Sequence, residues 1–440
     1  MDSFAPIIPL LPLVQVGNSY EISDALLHES SRALQCLARI KVFVFYERED
    51  FMSDFTVQMA FSSISPVLFP NLSMLAIPDS IDNLTREQRV FLNFFLASPL
   101  RDVVFGESQR SGAFVAFASG LAVRTRDSLR SISCSGSWNY LPRRITTLAS
   151  IHDIVLTGRL LDQKSIIADL SQCESLQRFE ICLSEEFPGA KQPPYSATFF
   201  PRLENLTLSG HLFAIWYFLD LLTSPYLHTL RIRPENWTQD FGEGLRFLVS
   251  VLVDCHYKKR GWRSLSVLEI TYDCTPCPSL EKRFTIKDCD YHNFFKGLSV
   301  LPLVSLECLF PIPLPSTVSL DFITSCFPGL HALYLDRYQR GMYPTFDDLH
   351  SLARNSPKLR HLGTHIHTGR IITDPSASNH CLDTLCVYDS SAEDPWYVAE
   401  QLDLSFPYLR EITTTSRACE EGWNGVDLLL KAYHRLRRRV

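Results

Sequence analysis

Short runs in which apolar and polar positions alternate recur along this chain at a nearly constant interval. LSMLAI at Leu72, LRDVVF at Leu100, LRSISC at Leu129, IHDIVL at Ile151, LQRFEI at Leu176, LENLTL at Leu203, LHTLRI at Leu227, LSVLEI at Leu265, LVSLEC at Leu303 and LHALYL at Leu330 share the form L-x-x-L-x-L, other apolar residues being allowed. LARIKV at Leu37 opens the series, and LRHLGT at Leu359, LDTLCV at Leu382 and LREITT at Leu409 close it. Residues two apart on a strand point the same way, so the fourth and sixth positions of each run predict one buried face. Between the runs the period changes: in HLFAIWYFLDLL the residues Leu212, Ile215, Trp216, Leu219 and Leu222 fall on one helical stripe. Thr85 with Gln88 three residues on has the form of a capping box. A further helix is predicted from Thr345 through Phe346, Leu349, Leu352 and Ala353. Proline stands just ahead of many strands, in Phe69-Pro70, Ser98-Pro99, Phe200-Pro201, Ser224-Pro225, Phe327-Pro328, Ser356-Pro357 and Phe406-Pro407. It disfavours helix in the residue before it and so ends each helix.

From Leu72 to Leu409 ten of the twelve steps between runs measure 22 to 29 residues, which is leucine-rich-repeat spacing. The predicted fold is α/β: a curved leucine-rich-repeat solenoid with parallel strands on the concave side and helices on the convex side. One repeat cannot stand alone. Its six or so buried side chains stabilise by very roughly 10 to 15 kcal/mol, whereas ordering some 27 residues costs on the order of 30 kcal/mol. Stacking supplies the remainder. Residues 1–33 read as an N-terminal capping or linking segment, 34–418 as about 14 irregular repeats, and 419–440 as a capping helix with a basic end. Two steps of 38 residues mark insertions near 234–263 and 271–302, expected as loops or longer helices that project from the stack.

Composition narrows the function. The chain has 440 residues, 46% hydrophobic and 20% charged, so it carries enough apolar material for a large core. A formal net charge of −6 lacks the basic excess with which nucleic-acid binders collect phosphates, and no nucleic-acid partner is expected. Asp2 and three early prolines argue against a signal peptide, and no apolar run approaches the roughly 20 residues of a spanning helix, so no membrane association is expected. Thirteen cysteines without a secretory signal then read as reduced thiols in the cytoplasm or nucleus.

The repeats, written [SF]-P-x-L-x-x-L-x-L, resemble those of fungal F-box leucine-rich-repeat proteins. FAPIIPLLPLVQV followed by SSRALQCLARIKVF looks like the junction between the F-box and the first repeat of that family. The resemblance implies a substrate-recognition module of a cullin-RING (SCF-type) ubiquitin ligase, in which the repeats select the protein to be ubiquitinated. The F-box itself is not apparent: Leu11-Pro12-Leu13-Val14 stands where an LP-x-E-type opening is needed, and the first strand begins by Leu37. Either this is a shortened chain or a relative that has lost adaptor binding. The adaptor is thus a partner only if an F-box lies outside this chain. The alternative is a leucine-rich-repeat scaffold or inhibitor with no role in ubiquitination.

No Walker A, dinucleotide, G-x-S-x-G or H-E-x-x-H pattern occurs, and neither an enzyme nor a cofactor is expected. Cys274 and Cys277, with Cys289 and His292 after them, have zinc spacing but lack a second paired motif, so they read as loop thiols. Arg435, Arg437, Arg438 and Arg439 read as a solvated helix end. If positions one, four and six of each run are buried, positions three, five and seven face outward on the concave surface. They include Asn205, Thr207, Thr229 and Val267, together with the residues expected to bind a target protein: Arg231, Arg233, Glu269, Tyr334, Asp336, His361, His365 and Tyr388.

Overall fold

The computed structural model describes residues 13–16, 19–22, 38–44, 69–77, 92, 95–106, 112–135, 150–158, 163–171, 173–184, 200–236, 241–258, 262–271, 288–315, 318–338, 343–369 and 380–437. Two compact units divide the chain, 1–204 and 205–440. The Thr85–Gln88 box and the Cys274–Cys277 pair lie outside the described residues.

In the first unit, strands β1 (Leu13–Val16) and β2 (Ser19–Ile22) form an antiparallel hairpin. Strands β3 (Val42–Val44), β4 (Met74–Ile77), β5 (Asp102–Phe105), β6 (Ser131–Cys134), β7 (Asp153–Leu156) and β8 (Arg178–Leu183) then lie parallel, each beside the next in chain order. Helices α1 (Gly112–Arg124) and α2 (Gln163–Leu170) are described between them. Phe43 and the fourth-position residues Leu75, Val103, Ile132, Ile154 and Phe179 stand in one register, and from Leu75 to Phe179 none is exposed. The opening run is therefore corrected: Phe43 opposite Leu75 makes Ile40, not Leu37, its leading residue, and Val42, expected to face inward, is 48% exposed.

The second unit repeats the scheme with β9 (Asn205–His211), β10 (Thr229–Asn236), β11 (Val267–Thr271), β12 (Ser305–Leu314), β13 (Ala332–Tyr338), β14 (His361–Thr364), β15 (Thr384–Val387) and β16 (Glu411–Thr414). These strands too are parallel and in chain order, and Leu206, Leu230, Leu268, Leu306, Leu333, Leu362 and Leu385 form one buried rung-to-rung column. Full burial of each stabilises by about 1.5 to 3 kcal/mol. Helices α3 (Leu212–Leu221), α4 (Phe241–Lys258), α5 (Asp288–Leu298), α6 (Leu320–Cys326), α7 (Phe346–Asn355), α8 (Pro395–Ser405) and α9 (Glu420–Arg437) alternate with the strands, and successive helices pack on one another. The fold class is the expected one, an α/β leucine-rich-repeat solenoid.

The proline turns act as expected. Phe327, Ser356 and Phe406 are the C-caps of α6, α7 and α8, each immediately before its proline. Their carbonyls then accept the N–H of the leading Leu three residues on, at 3.0 Å in all three cases. Buried Trp262 does the same for Leu265 at 3.2 Å, taking the place of the Phe where no proline is present. The second position of each run has a backbone task of its own. The carbonyl of His228 accepts N–H groups from both Ser266 and Val267, that of Ser266 from Val304 and Ser305, and that of His331 from Arg360 and His361. Shared acceptance at each rung locks neighbouring repeats in register.

Two expectations about helices need correction. Trp216 does not share the buried stripe of α3: it is 37% exposed, while Ala214 and Phe218 are buried with Leu212, Ile215 and Leu219. The buried face of α3 is thus turned away from the indole. The insertions are longer helices in their described parts, one of the two expected forms, but they pack into the helix layer where projection was expected. They are taken up by α4, which buries Leu245, Leu248, Val251 and Leu252, and by α5, which buries Tyr291, Phe294, Phe295 and Leu298. Longer helices with an apolar face gain more from packing than from projecting into water. The helix expected after Thr345 is present, with a capping box in which Thr345 and Asp348 each satisfy the other's backbone N–H.

Candidate binding face

Parallel register brings the fifth-position residues of the second unit into a row across adjacent strands: Thr207, Arg231, Glu269, Glu307, Tyr334 and Gly363. Successive strands lie about 4.8 Å apart, so these side chains are near neighbours. Arg231 donates from Nε to a Glu269 carboxylate oxygen at 2.5 Å, and both side chains remain partly exposed. Glu307 follows on the next strand, and its carboxyl is held above the usual range. Burial is the main cause, the neighbouring Glu269 charge adds to it, and Arg231 and Arg233 oppose it. Removing a carboxylate from water penalises its charged form, and a like charge nearby does the same.

Past Glu307 the row turns aromatic. Tyr334 is half-buried, and its phenol is raised chiefly by burial. Next to it is Gly363, where a Cβ would stand 2.4 Å from Cδ1 of Tyr334 and 2.7 Å from the hydroxyl of Tyr388. The missing side chain is what lets both tyrosine rings lean over this strand. His365 lies beside them, its ring stacked on Tyr343 at 5.1 Å and tilted to Tyr388 at 5.8 Å. The outcome is a surface on which a charged segment passes into an aromatic one.

Arg231, Arg233, Glu269, Tyr334, His361 and Tyr388 are all partly exposed. His365 is corrected: it is 6% exposed, because Tyr343 and Tyr388 cover it, and it supports the tyrosines instead of presenting a free imidazole. Thr207 and Thr229 are likewise buried, at 6% each, despite their outward positions. The backbone of Asp336 pairs with Leu309, and its side chain lies outside the described residues. Sequence reasoning passed over Glu307, although LVSLEC at Leu303 puts it in the fifth position by the rule that selected Arg231 and Glu269. It also passed over Gly363, whose importance depends on two tyrosines from neighbouring repeats.

Cys289 is exposed on α5, and the His292 ring lies 4.5 Å from that of Phe322. Among the described residues no three His, Cys, Asp or Glu side chains are grouped to hold a metal ion. No described helix is long and apolar enough to cross a membrane.

Parallel rungs, proline turns and a strand face on which Arg231, Glu269, Glu307 and Tyr334 are partly exposed define a protein of the leucine-rich-repeat class. No protein-family model matches the chain, and no curated protein matches it. Among solved structures it is similar to a chain of the "Crystal structure of Rad7 and Elc1 complex in yeast", with 15% identity and a TM-score of 0.38, over 90% of this chain and 86% of that one.

Proposed function

We propose that this chain is a protein-binding repeat module, not an enzyme, and that it holds its target on the partly exposed strand face of the second unit. The observation that carries this reading is the row Arg231, Glu269, Glu307 and Tyr334 on four consecutive strands. Half-exposed charges and a tyrosine on a rigid support, with little ordering left to do on association, suit a binding surface. By its resemblance to fungal F-box leucine-rich-repeat proteins, the module selects substrates for a cullin-RING ubiquitin ligase.

Affinity capture with the full chain tests both levels. The wild type is expected to retain a specific partner that Arg231→Glu and Tyr334→Ala lose. Retention by both variants at undiminished affinity sinks the assignment of the face. Co-recovery of the cullin adaptor supports the ligase role, whereas a stable partner without it favours a scaffold or inhibitor.

A further inference from the structure

The strand face of the second unit holds a charge that its own residues leave unanswered. Along the row Arg231, Glu269, Glu307 and Tyr334 the signs run plus, minus, minus, neutral. Glu269 and Glu307 stand directly opposite each other on neighbouring parallel strands, about 4.8 Å apart. Like charges so placed destabilise a sheet. Glu269 is answered, since it accepts from Nε of Arg231 at 2.5 Å. Among the described residues none makes an ion pair or hydrogen bond with the half-buried Glu307 carboxylate. No base stands next to it on this face either. Val267 and Thr271 on β11, Ser305 and Leu309 on β12, and Ala332 and Asp336 on β13 complete the positions around it. Arg231 is taken up by Glu269, and Arg233 is two strands away. Burial and Glu269 together outweigh the pull of both arginines, so the carboxyl stays above its usual range.

On the other side of Glu307 the row offers an aromatic ring. Tyr334 is its partner in register on β13. The Cδ1–Cε1 edge of this ring lies over Gly363 on β14, and the Tyr388 hydroxyl reaches the same glycine. The ring is thus held at one edge by the neighbouring repeats, while the side chain as a whole remains partly exposed. A carboxylate and a tyrosine one strand spacing apart suit a guanidinium, which can lie flat on the ring while its fork donates to the carboxylate. An ammonium pairs as a point charge and gains less from a planar partner.

We propose that Glu307 and Tyr334 together form a recognition site for an arginine side chain of the target protein, its guanidinium stacked on the tyrosine ring and paired with the carboxylate. The site lies on the binding face assigned above and rests on that assignment. With the arginine in place the row reads plus, minus, minus, plus, and each acid has one base. Gly363 and Tyr388 are positioning residues, because they hold the ring that the guanidinium meets.

A library of short random peptides, displayed on phage and selected on the full chain, tests the site. Peptides retained by the wild type and lost on Tyr334→Ala bind through this face, and they are expected to share an arginine. In a synthetic copy of the leading peptide, citrulline in place of that arginine keeps the shape and removes the charge. It should lower affinity for the wild type about 10- to 100-fold. Against Glu307→Gln the arginine and citrulline peptides should bind alike, because the charge then has no partner. Each variant is checked for unchanged circular dichroism, and Tyr334→Leu, which keeps apolar bulk without the ring, takes over if the alanine variant unfolds. Tyr334-dependent peptides that lack an arginine, or a citrulline penalty that persists in Glu307→Gln, would overturn the arginine site and leave the binding face standing. A library that yields no Tyr334-dependent peptide would overturn both.

Discussion

In the first unit the fifth-position residues of β5, β6 and β7 are Val104, Ser133 and Val155; in the second, the same position on β10 to β13 carries Arg231, Glu269, Glu307 and Tyr334. The buried positions beneath them do not differ in kind. Val103, Ile132 and Ile154 are as fully enclosed as Leu230, Leu268 and Leu306. The repeat therefore fixes what must be apolar and leaves the outward positions free to vary: β10 to β13 carry charge and a tyrosine where β5 to β7 carry valine and serine, while the charges of the first unit stand at Asp102, Asp153, Arg178 and Glu180. On the proposed function, binding belongs to the positions that vary, and stability to those that do not.

The largest effect should be the one shared by both units. Ile154→Ala and Leu268→Ala each remove a side chain with no exposure and should cost about 2 to 5 kcal/mol. Urea unfolding measures this, and a loss below about 1 kcal/mol in either would break the claim of equivalent cores. Next comes a change confined to the second unit: Tyr334→Ala should lower affinity for the captured partner by about 2 kcal/mol, while Val104→Ala in the first unit leaves it unchanged. Equal losses from the two would erase the contrast between the faces. Gly363→Ala should cost about 1 kcal/mol or somewhat more, since the added methyl must displace the Tyr334 and Tyr388 rings. A thermal melt reads this, and an unchanged melting temperature would show that the rings move aside freely.

The smallest effect concerns pH. Folded Glu307 holds its proton more tightly than an ordinary glutamate, whose pKa is about 4.3. The folded state binds more protons there, so stability falls as pH rises from that value through the raised one. Asp153 in the first unit is raised in the same direction, again mainly by burial, with Arg178 opposing it. Glu307→Gln should flatten this fall and leave the variant relatively more stable at neutral pH. A variant whose pH profile has the wild-type slope would show that burial does not penalise the charge.

How much was legible in advance differs by element. The rung register of Leu206, Leu230 and Leu268 could be read from spacing, because a parallel strand buried on one side admits few alternatives. The helix ends at Phe327, Ser356 and Phe406 could be read too, since proline restricts its predecessor whatever surrounds it. Glu307 was within reach of the same counting. His365 was not: its enclosure depends on Tyr343 and Tyr388, which come from other segments of the chain.

The sequence by itself determined the repeat, the identity of the buried positions and the turns that separate helix from strand, because each rests on local geometry and a period of two, or on the stiffness of proline. Only the tertiary structure decided that Trp262 replaces a proline-turn phenylalanine, that Trp216 stays at the surface, that the insertions become packed helices, and that Gly363 makes room for two tyrosines. These depend on which side chains from distant segments arrive at one place, and close packing in three dimensions is not a property of any single stretch of chain.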